Sequence, residues 1–252
     1  MKMREMLFTV ILCACSLATA TAYAGDISLS AAASTKEALK EIIDGFKKAQ
    51  PNANVLTNFG ASGALAKQTV QGAPTDIFIS ANDQWLDFIV KDGKAVAKNK
   101  GVLAYNKLVF AGKKGLAVKS LADIKTLNRI AIGTPASVPA GQYAEQALRA
   151  ANVYEDLAKE NKLVMAQDVR QALLYADRGE VDGAFVYSTD ALLAENAVIL
   201  LVVPDDLYDR VSYPMVITTA GEAKAEAKAF YSYLSGPEAQ GILKKFGFVT
   251  VK

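Results

Sequence analysis

Four short stretches of this chain sit at helix-start positions, AAAS at 31–34, GASG at 60–63, VPAG at 138–141 and DV at 168–169, and the first three present only small or apolar side chains. Each follows a strand-like run and precedes a helical pattern, so each offers backbone N–H groups that have no partner inside their helix. A helix start carries about half a positive charge together with those donors, and it attracts an anion without any lysine or arginine. Ser34 and Ser62 would each add a hydroxyl donor, while Ala140 and Val169 would contribute only their amides. Several starts aimed at one point make a cage of neutral dipoles, and the glycines and alanines let a small anion approach the backbone.

Plainer readings stand beside this one. Ser34 with Glu37 fits the S-x-x-E capping box, and a capping hydroxyl can accept from an amide while donating its own proton. GASG also fits a flexible turn, and VPAG a routine loop-to-helix entry. Val169 shares a core face with Ala172, Leu173 and Ala176. Tyr187, at the end of a strand, reads either as an interfacial aromatic or as a phenol that donates to a ligand. Each signal is weak singly; their coincidence favours the anion.

Catalysis finds less support. The 252 residues include no histidine, which removes the commonest general base, metal ligand and physiological pH switch. An exported enzyme with Ser62 as nucleophile would need a base, and GASG lacks the spacing of a nucleophile elbow. Neither a P-loop with Gly-Lys-Ser/Thr nor G-x-G-x-x-G after the first strand occurs. Asp205 and Asp206, and Glu222 with Glu226, read as solvated faces without calcium-loop spacing. No catalytic residue, bare metal ion or cofactor is therefore expected.

Alternating elements must hold these turns. Strands are expected at 27–30, 55–59, 76–80, 102–111, 129–132, 162–165, 183–187, 198–203 and 213–218. Leu39, Ile42, Ile43 and Phe46 share a helical face that stops before Pro51, and further helices are expected at 65–70, around Trp85, at 141–151, from Asp168, at 222–234 and at 237–246. The alternation argues for an α/β protein with mainly parallel sheets flanked by helices, and for a ligand crevice beyond the carboxyl ends of the strands. Periodicity leaves open whether one large sheet or two lobes result.

At the N-terminus, Lys2 and Arg4 precede an apolar block at 7–20 and AYA at 22–24, the layout of a secretory signal peptide over 1–24. The block is too short for a membrane span. A rival lipoprotein cleavage at Cys15 has only a short apolar run before it. Cleavage after Ala24 removes both cysteines, Cys13 and Cys15, and leaves a mature chain that depends on its core alone. With 28 Lys+Arg against 26 Asp+Glu the charge is nearly balanced, which gives no support for a nucleic-acid or membrane-surface partner.

Taken in order, AAAS (31–34), FGASGAL (59–65), GAPTDIFIS (72–80), VPAGQYA (138–144), DVRQAL (168–173) and VYSTDA (186–191) closely resemble the periplasmic molybdate-binding proteins of ABC-type importers, over essentially the whole mature chain. AFYSYLSG (229–236) and FGF (246–248) look like that family's C-terminal helices. The resemblance implies a two-lobed periplasmic-binding-protein fold of type II with the ligand in the interlobe cleft. Lobe one would hold 25–106 and 216–252, lobe two 107–215, with crossings near Asn106 and Pro214. It implies molybdate, and tungstate, as ligands of Ser34 and Ser62 (hydroxyl and N–H), Ala140 and Val169 (N–H) and Tyr187 (hydroxyl). It also implies a periplasmic monomer that serves an inner-membrane permease. Gly60 and Gly63 depart from a turn that is often richer in serine, an expected source of looseness. A donor-only site disfavours protonated oxyanions, whose own O–H would stay unpaired at a cost of roughly 1–3 kcal/mol. Sulfate remains the alternative ligand.

Overall fold

The structure, a computed structural model, describes residues 25–251. The expected signal peptide, with Cys13 and Cys15, lies outside the described residues.

The alternation seen in the sequence forms two sheets. The strands are β1 (Ile27–Ala32), β2 (Val55–Gly60), β3 (Ile77–Ile79), β4 (Ala95–Tyr105), β5 (Leu108–Lys113), β6 (Ile130–Gly133), β7 (Leu163–Ala166), β8 (Gly183–Tyr187), β9 (Ala197–Val202), β10 (Ser212–Thr218) and β11 (Val249–Thr250). The helices are α1 (Lys36–Ala49), α2 (Ser62–Val70), α3 (Asp83–Lys91), α4 (Pro139–Ala150), α5 (Tyr154–Lys159), α6 (Val169–Asp177), α7 (Ser188–Ala191), α8 (Thr219–Glu222), α9 (Ala225–Leu234) and α10 (Pro237–Lys245).

A six-stranded sheet in the order β11-β4-β10-β3-β1-β2 builds the first lobe, and a five-stranded sheet in the order β7-β6-β8-β5-β9 builds the second. The sheets are mixed rather than mainly parallel. β1 runs parallel to β2 and β3, but β10 is antiparallel to β3 and β4; likewise β6 is parallel to β7 and β8, while β5 is antiparallel to β8 and β9. The cause is the chain's passage between lobes. The continuous strand expected at 102–111 is two strands in different sheets, broken at Asn106 and Lys107, and β10 re-enters the first sheet from the far side. That return is complete by Ser212, so Pro214 already pairs with Val102 inside the first sheet.

Apolar spacing decides what is buried. Leu39, Ile42, Ile43 and Phe46 of α1 face β1, whose Ile27, Leu29 and Ala31 are wholly buried. Phe46 meets Phe230 of α9 at a 4.9 Å centroid separation, closing the layer under the sheet. Burying one such ring contributes about 1.5–3 kcal/mol. The helix expected at 222–234 starts three residues later, as α9 after Lys224, because a separate short turn, α8, precedes it, capped by the Thr218 hydroxyl accepting from the Gly221 amide. Among the described residues no helix is long and apolar enough to cross a membrane.

Candidate oxyanion-binding site

All the turns singled out by sequence converge. Ser34, Ser62, Ala140, Val169 and Tyr187 line one small cavity at the seam between the lobes, with space for little more than one water-sized sphere, about 10 Å³. Larger grooves open beside it, one of about 600 Å³ along Asn82, Gln142 and Arg149, but they are wide and solvated. The small cavity is where the turns at Ser34, Ser62, Ala140 and Val169 meet.

Each lobe contributes its part. In the first, β1 runs into a tight 3-10 turn, Ala33–Thr35, before α1, and β2 ends just before α2. The expected capping box at Ser34 does not form. Ser34 lies inside the 3-10 turn, no side chain caps α1, and the Thr35 hydroxyl turns back to the Ala32 carbonyl at 2.7 Å. The Ser34 hydroxyl instead meets the Tyr213 hydroxyl at 2.9 Å. The Ser62 hydroxyl accepts the Ala81 amide at 3.0 Å, so its acceptor side is satisfied and its proton is free to donate. That neighbour is an amide donor and not a base, which removes the support for Ser62 as a nucleophile.

In the second lobe, α4 starts at Pro139, which has no N–H, and no side chain caps it, so Ala140 brings the first free amide of that helix. Close packing places it: a Cβ on Gly141 would stand 1.7 Å from the Gly133 carbonyl oxygen, so only glycine lets α4 sit against the end of β6. Asp168 caps α6 by accepting the Arg170 and Gln171 amides at 2.8 and 2.9 Å, which leaves Val169's amide outside the cap.

Tyr187 gives the most direct sign of a ligand. It is 1% exposed, lines the cavity, and its hydroxyl is buried without a hydrogen-bond partner. A stranded buried hydroxyl costs about 1–3 kcal/mol, a cost removed by an acceptor in the cavity. Burial, with Tyr213 and Tyr143 nearby, pushes its pKa well above the ordinary value, so it is a donor.

No lysine or arginine lines the cavity among the described residues. Arg170 lies just outside, engaged elsewhere: Nε approaches Asp190 Oδ1 at 2.7 Å in an ion pair too bent for a hydrogen bond, and Nη2 donates to the Ser34 carbonyl at 3.2 Å. Sequence reasoning missed Arg170, Asp190, Tyr213 and Asn106, which pack around the cavity wall.

Direct contacts hold the lobes together here. Gly63 donates its amide to the Ser137 carbonyl at 2.9 Å, Tyr143 donates its hydroxyl to the Ala81 carbonyl at 3.1 Å, and Asn82 and Gln84 both bond Gln142. Gly63 is therefore no source of looseness: a Cβ there would come within 2.6 Å of the Trp85 ring and 2.7 Å of the Ser137 oxygen.

Residues 27–249 match the family model described as bacterial extracellular solute-binding protein. The molybdate-binding protein ModA of Escherichia coli (strain K12) is 38% identical over 237 residues, 90% of each chain. This chain belongs to the molybdate-binding family of bacterial extracellular solute-binding proteins. Members of this family bind solutes and are not enzymes. Among solved structures, the Azotobacter vinelandii periplasmic molybdate-binding protein superposes with a TM-score of 0.80 at 28% identity, covering 90% of this chain and all of that one. The sulfate-binding protein SubI of Mycobacterium tuberculosis superposes at 0.76 with 17% identity, over 90% of this chain and 87% of that one. That second likeness extends to the fold alone, so the ligand has to be argued from the cavity.

Proposed function

We propose that this protein binds molybdate, and tungstate with it, in the periplasm and presents it to an ABC-type importer in the inner membrane. The oxyanion takes the hydroxyls and amides of Ser34 and Ser62 from the first lobe, the amides of Ala140 and Val169 and the Tyr187 hydroxyl from the second. It is exported by the signal peptide at 1–24 and works as a monomer without a cofactor. The observation that carries this reading is the buried, partnerless Tyr187 hydroxyl at a cavity of helix starts with no cationic side chain. Such a cavity supplies donors and suits a fully deprotonated tetrahedral anion.

Titration calorimetry with molybdate, tungstate, sulfate and phosphate tests it, together with thermal melting. A ligand at a thousandfold its dissociation constant adds about 4 kcal/mol of stability. Molybdate and tungstate are expected to give that gain. Tighter binding of sulfate than of molybdate would replace the reading with a sulfate receptor.

A further inference from the structure

A chain of hydrogen bonds leads from the crossing between the lobes to the ligand-facing Ser34. At its outer end, Asn106 Oδ1 accepts the Lys107 amide at 2.9 Å and the Ser188 hydroxyl at 2.8 Å. A backbone amide can only donate, so this contact fixes which side-chain atom of Asn106 is oxygen and which is nitrogen. Nδ2 then donates to Thr189 Oγ1 at 2.8 Å and to the Tyr213 hydroxyl at 3.3 Å. Tyr213 is fully buried, and its other polar neighbour is Ser34 Oγ at 2.9 Å. With its oxygen receiving from Asn106, Tyr213 places its proton on Ser34, and the Ser34 proton is left to point into the cavity.

We propose that Asn106 and Tyr213 are positioning residues that set specificity: they fix the Ser34 hydroxyl as a donor toward the ligand and so select against oxyanions that carry a proton. The inference rests on the oxyanion reading above. Ser34 Oγ keeps a second lone pair, but turning it toward a ligand's O–H takes the Ser34 proton out of the cavity, and its side-chain partner is Tyr213, whose proton would then face the Asn106 amino group with no acceptor. A buried O–H left this way carries its full desolvation penalty. Burial raises the Tyr213 pKa, and the phenol stays protonated, so the direction of the chain does not depend on pH near neutrality. Ser34 and Tyr213 lie 179 positions apart, and Asn106 and Tyr213 flank opposite passages of the chain, so the arrangement exists only in the folded protein.

Asn106→Asp reverses the chain with almost no change in shape. The new carboxylate accepts from Lys107, Ser188, Thr189 and Tyr213, all able to donate, and these bonds keep it ionised. Tyr213 then gives its proton away from Ser34, which is free to donate to Tyr213 and accept from the ligand. Calorimetry would compare molybdate with inorganic phosphate at mildly alkaline pH, where both are dianions and phosphate still carries a proton. The added charge weakens both alike, and the ratio isolates the hydrogen-bond direction. The expected result is that Asn106→Asp lowers the preference for molybdate over phosphate at least tenfold, and that the same change in a Tyr213→Phe background leaves the ratio where Tyr213→Phe alone puts it. Equal weakening of both anions by Asn106→Asp, or a shift in ratio that persists without the Tyr213 hydroxyl, overturns the proposal. Should Asn106→Asp fail to fold, Tyr213→Phe alone decides: a several-fold loss of molybdate affinity supports the chain and unchanged affinity overturns it. Failure of the wild-type protein to bind molybdate is a different result, which removes the oxyanion reading itself.

Discussion

The amide of Gly63, on the first turn of α2, donates to the carbonyl of Ser137, in the loop before α4, across 2.9 Å. This backbone bond joins the lobes beside the cavity, with the chain's single tryptophan, Trp85, packed against it. Gly63→Ala would push a methyl group into both neighbours. The expected outcome is a molybdate affinity at least about tenfold lower, equivalent to ~1.4 kcal/mol, and a change in Trp85 emission on ligand addition that is smaller than in the wild type. Unchanged affinity would mean that the seam shifts to admit the methyl.

Tyr187→Phe and Ser62→Ala separate a group that waits for the ligand from one that also holds the protein. The Tyr187 hydroxyl has no protein partner, so its removal is expected to leave the stability without ligand unchanged or higher, while affinity falls about ten- to hundredfold. That range corresponds to the ~1.5–3 kcal/mol of a hydrogen bond to a charged group. Ser62→Ala also strands the Ala81 amide, and stability is expected to fall by about 1–3 kcal/mol together with affinity. Melting and calorimetry on both variants check the contrast; equal stability losses would contradict it.

Asp190 should make stability depend on pH in an unusual direction. Its burial raises the carboxyl pKa from the ordinary value to about 6, partly offset by Arg170 and by the Tyr187 amide. The folded protein then binds that proton more tightly than the unfolded chain does. The stabilisation linked to the proton is complete below the ordinary value of 3.8 and is lost as pH rises through about 6. Asp190→Asn lacks this titration, so its unfolding free energy measured in denaturant is expected to decline less than that of the wild type across that window. Parallel pH profiles would place the titration elsewhere.

Stability and binding should separate in the first lobe. Phe230 is wholly buried against Phe46, on the helical layer under the sheet and away from the cavity. Phe230→Ala is expected to cost about 3–5 kcal/mol of stability, with molybdate affinity of the remaining folded protein unchanged, as denaturant unfolding and calorimetry would show.

Much of this was legible in the sequence, for a physical reason. Helix starts advertise themselves through small residues, capping types and proline, so the turns at Ser34, Ser62, Ala140 and Val169 could be found singly and then seen to meet. Strand direction has no such signature, since the period of two is the same in parallel and antiparallel ladders, and the mixed sheets went unread. The break in 102–111 carried one signal, the polar Asn106 and Lys107 inside an apolar run. Tyr213 and Arg170 had none: their roles come from contacts with Ser34, 179 and 136 positions away along the chain. The Ser34 capping box was a local inference overruled by such a contact, and Gly63 looked loose only because the Trp85 ring and the Ser137 carbonyl that confine it are distant in sequence.

The donors proposed for the oxyanion are divided between lobes that touch beside the cavity through hydrogen bonds, most of them neutral and one from the Arg170 guanidinium. A transporter that grips each lobe and levers them apart would take away the cargo's coordination from one side in a single stroke. Unloading would then be mechanical, needing neither acid, nor a rival ion, nor any covalent change in the carrier.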